Sequence, residues 1–515
     1  MARDRLAEIG AQKTMGVGLE LLKFAGIGAK VAVRRVLGQE DSERFLVDAL
    51  SGMPGAPAKI GQLLGMRDAH LIPAPDAMPL EAVKRILSDE RPTLAEAIES
   101  ISPWSKTASM GQTHQALLKD GRLVAIKIQY PGVAKALSDQ IEAIFGVARL
   151  SPARRYDFDI GQTKAFLRQK LLEETDYRME AQTQERFFRY YRGSPVIVPE
   201  VYPQFSTATV LTQSWEESTA LEEMPGERAG KLCAEAGAVM TRLLLDSVMG
   251  LGLIHTDLNP GNYGFRVQGD TVKLVVYDFG SSYQLPSGQG LQLYRWLQAT
   301  RLADPNAVWS ALTTLGFSAK HLEPIATKLL ILSQGLLAPF LTDGSWVAKN
   351  WRLQEQMDDI LGSDKWWFRT AGPPWFLYLM RTFQGWHHAL KVLDAAIPVA
   401  KIWWPWEQQC QTLVQFMGVS ENTPIKPIQA SGPLFKASSL RVCVTDGGSE
   451  VVDLTLPARA VEDLESLVPD AVMQKCRIDG IDLRAISERV VLEGGAAQEL
   501  FSACIGPRQY RVWLA

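Results

Sequence analysis

Asp257 and Asn262 stand five positions apart in LIHTDLNPGNYGF, the stretch from Leu253 to Phe265. A carboxylate followed at this spacing by an amide suits phosphoryl transfer: the carboxylate meets the acceptor and the amide oxygen meets a metal ion. Asp278 follows 21 positions later, in YDFG at the end of the apolar run VKLVV. Upstream, Lys127 lies in VAIKIQYPG, inside a strand-like apolar pattern. A lone amine is costly to bury there. It is either an edge-strand lysine reaching for water or the partner of nucleotide phosphates. DLNPGN by itself also reads as a surface turn, since Asn, Pro and Gly are turn formers. The order and spacing of all three motifs favour the chemical reading. Lys127 would hold phosphates, Asp257 would orient or deprotonate an acceptor, and Asn262 and Asp278 would hold Mg²⁺.

These residues need a scaffold of two kinds. Residues 1–50 read as helical, and SGMPGAPAKIGQLLGM breaks and restarts a helix near Ala58. PTLAEAIES reads as a short helix with Thr93 as its cap. From about Trp104 the pattern alternates. THQALL and RLVAIKIQ flank the turn KDGR as hairpin strands do. A helical stretch from about Ile160 to Tyr191 follows, then two strands within VIVPEVYPQFSTATVLTQSW. From about Glu222 the chain reads as mainly helical. Beyond the linker-like ENTPIKPIQASGPLF, SLRVCVTDGGSEVVDLTLP reads as a hairpin, ARAVEDLESLVP as a helix and RQYRVWLA as a last strand. The expected division is 1–100 helical extension, 101–220 small lobe, 221–425 helical lobe, 426–437 linker and 438–515 a small α/β domain.

Two departures separate this chain from ordinary protein kinases. SKTASMGQTH, with only Gly111, stands where a G-x-G-x-x-G loop would cover the phosphates, so Ala108 and Ser109 reduce its backbone freedom. Thr256 stands where an arginine would receive a phosphorylated activation loop. With these departures the sequence resembles the UbiB/ABC1 (AarF, ADCK) family of atypical protein-kinase-like proteins. KIGQLLGMRDAHLIP resembles its K-x-G-Q motif and supplies Lys59 and Gln62. TASMGQTHQA resembles its alanine-rich loop, with two alanines lost. IKIQYPG matches its lysine strand. EETDYRMEA resembles its E-x-D motif and supplies Glu174 and Asp176, with Glu180 as the helix glutamate. HTDLNPGN resembles its H-A-D-P-H-P-G-N loop, with Thr256, Leu258 and Asn259 substituted. The resemblance spans roughly residues 20–400.

That resemblance implies an α+β, bilobal protein-kinase-like fold. In it, Lys59 would meet Glu174 and Asp176 over the nucleotide cleft, and Glu180 would pair with Lys127. A solvated acidic face is the alternative for the carboxylates. Ala108, Ser109, Lys127, Gln213 and Trp215 are the expected nucleotide contacts. The implied activity is that of an atypical kinase or ATPase using Mg²⁺ with ATP or ADP, in isoprenoid lipid or quinone metabolism, without phosphorylating proteins in trans. A small-molecule phosphotransferase and a nucleotide-gated pseudokinase scaffold remain as alternatives.

Composition sets the outer limits. The chain has 515 residues, 46% hydrophobic and 22% charged, and two to four domains are expected. A net charge of −3 gives no reason to expect nucleic acid. Five scattered cysteines show neither zinc spacing nor a disulfide framework and suggest a reducing compartment. MARDRLAEIG has no apolar signal region. No uncharged apolar run reaches the roughly 18–20 residues a span requires, and Leu329–Leu341 reads as a core helix. The expected location is the cytoplasm, with a membrane surface as a further partner. Gly16–Gly38 is amphipathic and suits a packed helix or a membrane-surface one. Nine of the fourteen tryptophans lie between Trp346 and Trp406. They suit helix packing first and a lipid-facing surface second. The C-terminal domain carries no catalytic constellation and reads as a packing module or a site for a protein partner.

Overall fold

The structure, a computed structural model, describes residues 77–107, 110–134, 168, 173–224, 229–417, 436–437 and 439–515. Lys59, Gln62, Ala108, Ser109, the amphipathic stretch at 16–38 and most of the 426–437 linker lie outside the described residues. The chain divides into two compact units. One comprises Met1–Met179 with Tyr202–Trp215, the other Glu180–Val201 with Glu216–Ala515.

Among the described residues the first unit begins with α1 (Leu80–Glu90) and α2 (Pro92–Ala97), followed by strands β1 (Ile98–Thr107), β2 (Gly111–Leu118) and β3 (Leu123–Gln129). In chain order, helix α3 (Tyr177–Tyr190) and the short strand β4 (Val196–Ile197), which from Glu180 onward belong to the second unit, precede β5 (Val210–Ser214) of the first. The sheet runs β1-β2-β3-β5, antiparallel throughout. Strand alternation sorts β3 into two faces. Val124, Ile126 and Ile128 are fully buried and pack with Val83, Leu87 and Leu94 of the two helices. Ala125, Lys127 and Gln129 take the opposite face.

Three local expectations are corrected here. The segment read as one helix around Thr93 is α2 followed by β1, and Thr93 is not its cap: Pro92 opens the helix after Arg91. The helix expected from Ile160 to Tyr191 is broken at Glu174–Asp176 and restarts as α3. Strand β4 belongs to the second unit, and there it pairs in parallel with the later strand Thr271–Val276 instead of extending the first unit's sheet.

In the second unit, α4 (Ala229–Leu245) ends in a π-helical turn, Asp246–Gly250. Then come β6 (Leu253–His255), β7 (Tyr263–Gln268), β8 (Thr271–Val276) and β9 (Ser282–Gln284). Strands β4, β8 and β7 form one small sheet, β6 and β9 another. Helices α5 (Gln289–Arg301), α6 (Pro305–Thr314), α7 (Ala319–Leu322) and α8 (Leu329–Leu341) follow. After β10 (Trp346–Val347) come α9 (Leu353–Leu361), α10 (Lys365–Ala371) and α11 (Pro374–Leu393). Strand β11 (Ala396–Ile397) then leads to α12 (Val399–Met417).

The tryptophan cluster is packing core. Trp346 stacks on Trp386 at 5.5 Å, Trp351 meets Phe383 edge-on, and Phe340 of α8 lies against Trp403. Among the described side chains of the cluster, Trp404 is about half exposed. Among the described residues one helical stretch, Ala319–Leu341, is long and apolar enough to cross a membrane. Its Ser333 accepts a hydrogen bond from the Trp296 indole, and Leu332 and Leu336 are buried. One side of this stretch is therefore committed to the helical core.

The C-terminal segment forms β12 (Ser439–Asp446), β13 (Ser449–Pro457), α13 (Leu464–Leu467), α14 (Asp470–Ile478), α15 (Leu483–Leu492), β14 (Gln498–Ile505) and β15 (Arg508–Leu514). Gly447 and Gly448 both adopt positive φ, which a two-residue hairpin turn of this twist requires. The sheet order is β13-β12-β15-β14. Leu440, Val444, Leu454, Val472 and Val512 are buried, and the other face carries ion pairs such as Arg441–Asp453. Edge strand β13 packs against α12 and the Asp246–Gly250 turn, which covers an edge that would otherwise invite strand pairing.

Candidate functional site

The second unit gathers Asp257, Asn262, Asp278 and Glu180. Strands β6 and β9 pair antiparallel, His255 opposite Ser282, so the chain before Asp257 and the chain after Asp278 are held side by side. Thr256 reinforces the join: its N–H bonds to the Ser281 carbonyl and its hydroxyl lies 2.7 Å from the Ser281 hydroxyl. The position that would carry an arginine thus makes a neutral local link.

His255 is buried, and burial pushes its pKa down, which favours the neutral ring. Nδ1 accepts from the Asp257 N–H at 3.3 Å, so the proton sits on Nε2, which donates to the Asp278 carbonyl at 2.5 Å. Phe187, His255 and Phe279 form one cluster of edge-on and tilted rings, with Phe187 and Phe279 centroids 5.0 Å apart. This cluster ties α3 to both motifs. Glu180, buried on α3, accepts from the Phe279 N–H at 3.2 Å.

The Asn262 amide nitrogen donates to the Asp257 carbonyl at 3.0 Å and to its Oδ2 at 3.1 Å. The amide nitrogen of Asn262, and not its oxygen, therefore faces Asp257. Asn262 and Asp278 offer hard oxygen donors, which suit Mg²⁺ completed by phosphate oxygens and water. Among the described residues no cluster of three or more His, Cys, Asp or Glu could hold a metal unaided.

One residue escaped the sequence reading. Arg381 of α11 donates Nη2 to Asp257 Oδ1 at 2.7 Å, and its side chain is only 10% exposed. Both carboxylate oxygens of Asp257 are therefore engaged, one by Arg381 and one by Asn262. The whole face of α11 is fitted to this loop. Tyr378 stacks on Tyr283 at 4.9 Å, and the Thr382 hydroxyl donates to the His255 carbonyl at 2.9 Å. A Cβ on Gly385 would come within 2.7 Å of the Leu258 carbonyl. The signal was present: an arginine among FLYLM and TF on an apolar helix needs a partner. Nothing in the sequence named that partner, 124 residues away.

The first unit holds the other candidates. Lys127 is buried, with its amine 5.5 Å from the centre of the Tyr177 ring. Thr113 lies directly opposite it on β2, and Leu211 on β5. Gln213 is buried opposite Ala125, and Trp215, partly exposed, bonds its N–H to the Leu123 carbonyl. The Gln129 side chain donates to the Thr175 carbonyl at 2.7 Å, so the E-x-D segment is tied to the lysine strand. Asp176 starts α3 by accepting the Arg178 N–H, and its carboxylate pairs with the Arg178 guanidinium at 2.7 Å. That guanidinium holds Asp176 below the usual carboxylate range.

Gln112 and His114 of the alanine-rich-loop motif have structural tasks. Gln112 accepts from the Met78 N–H and donates to His114 Nε2, and His114 Nδ1 donates to the Ser102 carbonyl. A Cβ on Gly111 would overlap the Ile128 carbonyl oxygen, so glycine is required there by space.

Residues 76–312 match the family model of the ABC1 atypical kinase-like domain. Over 307 residues the chain is 29% identical to the mitochondrial atypical kinase COQ8B of Rattus norvegicus, covering 54% of this chain and 56% of that protein. Over 301 residues it is 26% identical to the mitochondrial atypical kinase COQ8 of Saccharomyces cerevisiae, covering 55% and 58%. The chain thus spans little more than half the length of these curated relatives. It is also similar to the solved structure of Rv3197 with erythromycin from Mycobacterium tuberculosis. That likeness has 22% identity and a TM-score of 0.49, over 72% of this chain and 96% of that one.

Proposed function

From an ABC1 atypical kinase-like domain at residues 76–312, we propose that this chain is an atypical kinase or ATPase. It binds Mg-ATP or Mg-ADP and acts in isoprenoid lipid or quinone metabolism. Lys127, Gln213, Trp215, Ala108 and Ser109 contact the nucleotide, and Asn262 and Asp278 hold Mg²⁺. Glu180 supports Lys127, and Asp257 orients the acceptor. The bound metal supplies neutralisation of phosphate charge. The pathway half of this reading rests on family resemblance, and the chemical half on the residues.

The observation that carries the chemical half is the Asp257–Asn262 pair, locked to the Asp278 segment through His255 and Thr256. A second observation favours an acceptor other than an exposed protein loop. Only residues 281–288 separate Gly280 from α5, and 282–284 of these are already strand. That leaves no long activation segment on which a peptide could lie. Lys59 and Gln62, with Glu174 and Asp176, are proposed as the regulatory lid of this site.

Thermal unfolding with nucleotide and Mg²⁺ tests the binding claim. Ligand at a hundred times its Kd should stabilise the fold by about 2.7 kcal/mol. Asp278→Asn should abolish the Mg²⁺-dependent part of that shift, and Asp257→Asn should keep it while losing turnover. No stabilisation of the unsubstituted protein by either ATP or ADP would overturn the assignment.

A further inference from the structure

In regulated kinase folds, activation depends on positioning the helix that carries the glutamate and on the segment around the catalytic loop. Here the segment after Asp-Phe-Gly is short, and it is closed by the Thr256–Ser281 link and the β6–β9 pairing. The C-terminal domain touches the elements on either side of that closed region.

Its strand β13 packs on the Asp246–Gly250 turn and on α12. That turn feeds directly into β6, and Gly250 precedes Asp257 by seven residues. Tyr190 from the end of α3 and Trp406 from α12 converge on Gly250. A Cβ there would overlap the tyrosine hydroxyl and lie 2.8 Å from the indole. The Trp406 side chain also hydrogen-bonds the Asp246 carboxylate. One residue before Tyr190, Arg189 donates Nη1 to the Lys436 carbonyl at 3.3 Å. Lys436 and Ala437 are in turn fixed to the C-terminal domain by N–H bonds to the Gly494 and Gly495 carbonyls, at 2.9 and 2.7 Å. The domain therefore bears on the last turn of the helix that carries Glu180 and on the turn that leads to Asp257.

We propose that residues 436–515 are a regulatory module that sets the position of Glu180 and of the catalytic loop through the junction of Tyr190, Gly250 and Trp406. A ligand or partner that engages this domain changes the competence of the site without entering it. Coupling of this kind is reciprocal: nucleotide binding alters the same junction from the other side. The functional part of the inference rests on the nucleotide reading above; the mechanical part does not.

The test uses the full chain with Trp406→Phe, which keeps a ring and removes the indole N–H, and Arg189→Ala, which removes the bond to Lys436. Arg508→Ala is the control; it breaks the Arg508–Asp446 pair at the opposite end of the C-terminal sheet from the domain's termini. Mg-ATP affinity and turnover are measured, together with amide hydrogen exchange without nucleotide. Both junction variants should change affinity or turnover about fivefold or more. They should raise exchange at residues 253–262 while residues 439–457 keep their protection, and Arg508→Ala should do neither. The proposal is overturned if exchange at 253–262 stays as in the unsubstituted protein, or if Arg508→Ala has the same effect. If no form binds nucleotide, the proposed function fails, and the exchange comparison still decides the coupling.

Discussion

Asp257 is the residue to which the proposed function assigns the acceptor, and its surroundings make it a fixed carboxylate. Arg381 holds Oδ1 and Asn262 holds Oδ2. Without Arg381 one oxygen loses a charged donor, and a carboxylate on a short loop gains freedom to rotate. Misplacement by about 1 Å can cost on the order of a hundredfold in rate. Arg381→Ala should therefore lower turnover by about tenfold or more while nucleotide affinity changes less than about threefold. Arg381→Lys should recover part of the loss, since an amine can reach one oxygen but lacks the planar fork. Equal loss of affinity and turnover, or no loss, would show that Arg381 only supports the fold. Asp257, Asn262, Asp278, Lys127 and Glu180 could all be nominated from sequence because they sit in short motifs whose spacing is itself chemical. Arg381 could not, because its relation to Asp257 exists only once α11 is folded against the loop. Asp176 illustrates the opposite case. Its position in a motif was legible, but its cap of α3 and its pairing with Arg178 are local geometry that a motif does not specify.

At the level of elements, helix α11 acts as the floor of the Leu253–Phe265 loop and its partner strand β9 through Tyr378, Arg381, Thr382 and Gly385. These positions recur every three or four residues and so share one face. Gly385 is the closest point. An alanine in a helix interior normally gains about 1 kcal/mol over glycine, but here its methyl would press on the Leu258 carbonyl and side chain, at 2.7 and 2.8 Å. Gly385→Ala should reverse the usual sign, lowering thermal stability and turnover together; a more stable, fully active variant would show that the loop yields freely. Strands with strong periodicity were legible in the sequence: β2, β3 and the β12–β13 hairpin stand where alternation or a glycine turn put them. The misreadings share a cause. Strand β1 carries a register shift between Ile101 and Ser105 and is exposed at Trp104, so its alternation is broken. Strand β4 is only two residues long and owes its existence to a partner, β8, more than seventy residues away. The π-helical turn at Asp246–Gly250 packs closely against Tyr190 and Trp406, contacts that no local pattern records.

At the scale of the whole molecule, that same turn makes stability depend on pH. The Asp246 carboxyl is raised from 3.8 to about 6, chiefly by burial, against the opposing pull of the Trp406 indole and Arg242. Tyr190 and Tyr191 lie close enough to feel its charge. Between pH ~4 and ~6 the folded chain keeps a proton that the unfolded chain has lost. The contribution of Asp246 is therefore fully present below the unfolded pKa and is lost as pH rises through about 6. Above that, the fold carries a buried negative charge beneath the contact between β13 and the Asp246–Gly250 turn. Asn at this position still offers an oxygen to the indole and has no charge to bury. Asp246→Asn should raise stability at pH 7–8 by about 3 kcal/mol, the scale of a shift of roughly two units. The advantage should shrink as pH falls and vanish near pH 4. Denaturant unfolding of the full chain across this range checks both the size and the slope. A constant offset at every pH would mean that the carboxylate is solvated in the folded chain and that the turn is not the sealed junction its packing describes.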